Sequence, residues 1–178
     1  MITVTAQGDR RYRILDRRGH VVGWIDANAV GFRGWTRDDD AIAAAAAAWE
    51  PLEATLRRHY FGRPLRLAPE GPLRLVHDGA YEWVSDGRTP IARLHRQAGS
   101  VATGERPAAS LAPSDATARR RDAGGELALE FVLPSYATEG VVHAAAQVLA
   151  RAFGHFGHFG GAAARVPRDD DPVPPPAA

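Results

Sequence analysis

The chain has 178 residues, 22 of them basic and 21 acidic, for a net charge of +1, and it contains no cysteine. That balance gives no strong field for nucleic acid or an anionic membrane. The missing thiols exclude disulfides, zinc–thiolate sites, iron–sulfur clusters and cysteine nucleophiles. The length suits one ordinary domain or two small halves sharing a core. Alanine makes up much of the apolar content, so the core is expected to lean on Trp24, Trp35, Trp49, Trp83 and scattered Leu, Ile and Val.

The opening residues, MITVTAQGDRRYRILD, lack the charged-then-apolar order of a signal peptide, and no apolar run reaches bilayer length. A cytoplasmic location without membrane contact is the resulting expectation. RRYRILD, a turn at RRGH and VVGWIDANAVGF predict a hairpin, with a third short strand around Val30 to Phe32 after a turn at Asn28. TRDDDAIAAAAAAWEPLEATLRRHYFG predicts a long helix: Thr36 is placed to cap it, and Asp38, Asp39 and Asp40 suit the positive end of its dipole. Ile42, Ala45, Trp49, Leu52, Leu56 and Tyr60 form one apolar stripe. Pro51 lies opposite that stripe, so a kinked single helix is expected, with two helices parted at Glu50 as the alternative.

A second strand set follows: LRLVH, a turn at His77-Asp78-Gly79, AYEWVSD, a turn at Gly87-Arg88, and TPIARLHR. Residues 98–125 are nearly free of large apolar side chains and read as a flexible insertion. ELALEFVLP is then a strand with Leu127, Leu129, Phe131 and Leu133 on one face and Ala128, Glu130 and Val132 on the other. SYATEGVVHAAAQVLARAFG predicts a second amphipathic helix, capped by Ser135 and stopped at Gly154, and residues 161–178 read as a disordered tail.

A gapless shift of 69 residues sets Tyr12 on Tyr81, Ile14 on Trp83, Val22 on Ile91 and Ile25 on Leu94. A shift of 99 sets Phe32 on Phe131, Ile42 on Val141 and Ala45 on Ala144. The pattern predicts an α+β protein made by tandem duplication of a strand-strand-strand-helix unit, residues 1–62 and 63–160. The two units would form one compact domain, an antiparallel sheet with both helices on one face. Chance likeness between amphipathic elements is the alternative.

No nucleophile elbow, P-loop, dinucleotide fingerprint or paired-histidine zinc motif is present, so no catalytic, cofactor or metal residues are assigned. Glu139 and His143, four apart on the second helix, are expected on its solvated face. His20 and His77 belong to turns, and His59 to a helix end. His155 and His158, in the repeat FGHFGHFGG at residues 153–161, are too few to close a metal site. The favoured reading is a non-catalytic binding or self-association module, with a protein partner or homo-oligomerisation through the open sheet face at Glu82, Arg93, His95 and Glu130. The alternatives are nucleic-acid binding through Arg11, Arg13, Arg17, Arg18 and Trp24 of the first hairpin, and an enzyme with an unrecognised site.

Overall fold

The computed structural model describes residues 2–60, 67–97 and 125–154. Eight strands run in chain order: β1 Thr3–Gly8, β2 Arg11–Leu15, β3 Val21–Asp26, β4 Ala29–Trp35, β5 Arg74–Asp78, β6 Tyr81–Ser85, β7 Pro90–Arg96 and β8 Leu127–Val132. The helices are α1, Asp38–His59, after β4, and α2, Glu139–Gly154, after β8. All eight strands form one antiparallel sheet in the order β1-β2-β3-β4-β8-β7-β6-β5. The α+β class follows, and no described helix is long and apolar enough to cross a membrane.

The expected strands are present, and one was missed. β1 carries only Val4 as a large apolar residue and pairs along the outer edge of β2, from Thr3↔Leu15 to Gly8↔Arg11. Each half of the chain therefore supplies four strands and a helix.

α1 is continuous through Pro51, which lies inside it. Four residues later the buried Thr55 donates its hydroxyl to the Pro51 carbonyl oxygen. The expected cap at Thr36 is not used: Arg37 occupies the cap position without a side-chain bond, and the three aspartates supply the compensating charge at that end. Ser135 is likewise no cap; the Thr138 carbonyl accepts the first amide bonds of α2 from Val141 and Val142.

The two helices pack against each other; α1 lies over β8, β4 and β7, and α2 lies over β4. Small residues make the approach close: Ala41, Ala44, Ala45 and Ala48 of α1 and Ala145 and Ala146 of α2 are fully buried. Beneath them sit Ile14, Val30, Phe32, Val84, Leu129 and Phe131. Phe153, the first residue of the FGHFGHFGG repeat, is fully buried. Its ring meets Phe32 and Trp35 edge to face at 5.1 and 4.9 Å and Phe131 at 5.9 Å. Only Trp35 and Trp49 of the four tryptophans join this core; Trp24 and Trp83 are half-buried on the opposite sheet face.

The strand registers mirror one another about the middle of the sheet. Gly31 pairs with Glu130, and Val30↔Phe131 on one side answers Phe32↔Leu129 on the other. The 69- and 99-residue shifts match Trp24↔Gly31 in β3–β4 with Arg93↔Glu130 in β7–β8. The gapless shift slips on β2 and β6, however. Ile14 faces Gly23 and Val84 faces Ala92, so the counterpart of Ile14 is Val84 and not Trp83. The first hairpin turn, residues 16–20, is one residue longer than the second, residues 86–89. A one-residue slip exchanges the two faces of a strand.

The insertion 98–125, apart from Gly125, and the tail 161–178 lie outside the described residues, as do His155 and His158.

Candidate binding face

Both helices cover one face of the sheet, and the described residues leave the other uncovered. Alternation along the strands and cross-strand pairing put one row of side chains across this second face. It runs Arg13, Trp24, Gly31, Glu130, Arg93 and Trp83, one from each of β2, β3, β4, β8, β7 and β6.

Glu130 lies at the centre, with 12% of its side chain exposed. His95 Nε2 is 2.9 Å from one carboxylate oxygen and Arg93 Nη1 is 3.4 Å from the other. The His95 hydrogen bond, helped by the nearby Arg93 guanidinium, holds the Glu130 carboxyl below its ordinary range against the opposing effect of burial. Arg93 is itself held by aromatic rings. Its guanidinium carbon is 4.2 Å above the Tyr81 ring and 5.1 Å from the Trp83 ring. Its Nε is buried without a hydrogen-bond partner among the described residues.

Trp24 occupies the other side of the centre. A Cβ at position 31 would overlap the Trp24 indole, so glycine is what allows the ring to lie flat on β4. His95 stands edge-on to that ring at 6.1 Å. Arg13, directly opposite Trp24 on β2, is exposed and has no acidic partner among the described residues. Arg11 pairs with Asp26 at 3.5 Å, whereas Arg17 and Arg18 are exposed in the turn after β2 and have no acidic partner among the described residues. Asp16 is unavailable to them. Its carboxylate accepts the Arg18 and His20 amides, which hold it below the ordinary carboxylate range.

Three of the four expected sheet-face residues, Arg93, His95 and Glu130, thus meet in one cluster. Glu82 does not join them. It lies on the helix side, where Arg96 bridges it to Asp38 at the start of α1 with N–O distances of 2.8 and 2.9 Å. The gapless shift had equated Glu82 with Arg13; the true register equates Arg13 with Trp83. The face also includes Gly31, Trp83 and Tyr81, which sequence reasoning did not single out. A glycine inside the strand AVGFRGW was the available signal for close approach at Gly31.

Glu139 and His143 are not a purely solvated pair. The Tyr12 hydroxyl donates to Glu139, and the His143 ring meets the Tyr12 ring edge to face at 4.8 Å. The Glu139 bond raises the Tyr12 pKa above its usual value. Tyr12 of β2 thereby tethers the start of α2, as Glu82 of β6 and Arg96 of β7 tether the start of α1.

Among the described residues the His95 ring is hydrogen-bonded through Nε2 to Glu130, and no serine or threonine is bonded to it. No group of three or more His, Asp or Glu residues able to hold a metal occurs among them either. The face sets the Trp24, Trp83 and Tyr81 rings beside the Arg93 guanidinium and one half-buried carboxylate. No protein-family model, curated protein or solved structure matches the chain.

Proposed function

We propose that this protein is a non-catalytic binding module, built by duplication of a four-strand-and-helix unit, that receives its partner on the sheet face opposite the helices. The mirrored registers around Gly31 and Glu130 support the duplication. So does a device shared by the two halves: Asp16 and Asp86 each open a hairpin turn and accept the amide two residues ahead, from Arg18 and Arg88.

The binding reading rests on one observation, the half-buried Glu130–His95–Arg93 cluster flanked by Trp24 and by Tyr81 and Trp83 on the uncovered face. Partly burying a carboxylate and a guanidinium incurs desolvation that their attraction only partly offsets, so such a pair is weak as a stabilising device. An apolar pair of similar size would fill the same row more simply. Aromatic and arginine side chains placed together away from the core are what binding surfaces concentrate.

The test compares two faces of the folded chain as bait. Molecules retained by the parent, a second copy of the chain included, should also be retained by Glu50→Ala, changed at an exposed position of α1. They should be lost by Trp24→Ala and by Arg93→Ala. Identical retention by all four proteins would overturn the proposal.

A further inference from the structure

We infer that the sheet face is a site for single-stranded nucleic acid, with a base stacked on Trp24 and the phosphates following the arginines of the β2 hairpin. The inference rests on the reading of this face as the binding surface and names its ligand.

Trp24 supplies the first part. Its indole is flat on the Gly31 backbone, so the ring presents one π-face away from the sheet. Stacking on a fixed aromatic ring is the main sequence-tolerant contact of single-strand binders, and it needs an unpaired base. The second part is charge. Arg10, Arg13, Arg17 and Arg18 are exposed, and none has an acidic partner among the described residues. They run along β2 and its two turns, past the strand position that pairs with Trp24. From Arg10 to Arg17 is roughly 20 Å of extended chain. The one carboxylate at the centre of the face, Glu130, is already engaged by His95 and Arg93.

Other occupants fit less well. A second copy of the chain would present the same uncompensated arginines to these. An acidic peptide would satisfy the arginines but would have no use for the bare face of Trp24.

The experiment titrates fluorescently labelled 12-mers of deoxythymidine and of uridine with the full chain, read by anisotropy at about 50 and 200 mM salt. The parent should bind and should weaken steeply as salt rises. Trp24→Ala should weaken binding by about 5- to 100-fold at either salt, as loss of a stacked base does, while Trp24→Phe keeps most of the affinity. Gly31→Ala retains the indole but displaces it and should follow Trp24→Ala; circular dichroism confirms that each variant is folded. Arg13→Ala should lower the slope of log affinity against log salt by about 0.7.

Absence of binding by the parent, or binding that Trp24→Ala leaves unchanged, overturns the inference. So does a polyglutamate peptide of equal charge that competes as well as the oligonucleotide. Failure here with Trp24→Ala still losing the partners captured above would discard nucleic acid alone; failure of both would discard the face.

Discussion

Phe153 should be among the most costly positions in the molecule to truncate. It is the first residue of the repeat FGHFGHFGG, whose look suggests a frayed helix end, yet its ring is completely buried. Replacing a buried phenylalanine by alanine costs about 3–5 kcal/mol, combining lost transfer free energy with the cavity left behind. Two edge-to-face contacts, to Phe32 at 5.1 Å and Trp35 at 4.9 Å, place Phe153→Ala toward the upper part of that range. A domain of this size is stable by only about 5–15 kcal/mol, so about a quarter or more of the total is at stake. Phe153→Leu keeps an apolar side chain but loses both ring contacts and should cost about 1–3 kcal/mol. Urea unfolding followed by far-ultraviolet circular dichroism measures both, and the midpoint should fall while the slope stays constant. A cost below about 1 kcal/mol for Phe153→Ala would refute the placement of Phe153 at the meeting point of β4, β8 and α2.

Ala27 adopts a φ of 51°, in the left-handed region that strains residues with a Cβ. Ala27→Gly should relieve about 1–2 kcal/mol of strain while adding about 0.5–1 kcal/mol of unfolded-state entropy. A small net rise in Tm is expected, and a fall would count against the turn geometry. Asp86 accepts amide bonds from Thr89, Arg88 and Glu70, which lower its pKa to about 2. Its folded value is depressed, so its contribution is present above pH 3.8, the ordinary value, and is lost as pH falls toward 2. Asp86→Ala should flatten the acid limb of a stability–pH curve in that window. Glu130 is depressed for a different reason, chiefly the His95 bond, so Glu130→Gln should remove the stability the carboxylate adds above its ordinary value of 4.5. Chemical-shift titration of the Glu130 carboxyl carbon should find it ionised below that pH.

Much of the fold was legible because two periodicities are clean. Leu127, Leu129 and Phe131 of β8 and Leu133 just beyond it alternate, and each is buried as that pattern requires. Ala45, Trp49, Leu52 and Leu56 likewise fall on the buried side of α1. β1 escaped notice because an edge strand buried on no more than one side needs few apolar residues, and TVTAQG has one large one. Helix starts were misassigned by one residue in α1 and three in α2: Thr36 and Ser135 are good capping types, but the first turns rely on charge and on the Thr138 carbonyl. The tryptophans misled most. A large aromatic residue is assigned to the core by default, and the signal that Trp24 lies elsewhere is Gly31, seven residues away and on another strand.

The site itself turned on one residue of register. Period-two alternation was enough to group Arg93 and His95 on β7 with each other, and Glu130 with their partner strand. Glu82 went to the wrong face because its charge was read as solvated, whereas its pairing with the buried Leu94 puts it on the helix side. With the register corrected, the two halves read outward from the centre as Gly31, Trp24, Arg13 and as Glu130, Arg93, Trp83. The order of tryptophan and arginine differs between them, and so does the central residue. Glutamate at 130 needs a cation beside it, which draws Arg93 inward and leaves Trp83 to stack on it; glycine at 31 offers no charge but gives room for an indole to lie flat. Arg13 sits at the outer position with no acidic partner among the described residues. One half of the row is internally neutralised, and the other sets the Trp24 ring beside that cation, which is why the proposed site for an anionic, ring-bearing ligand is drawn on the half whose central side chain is missing.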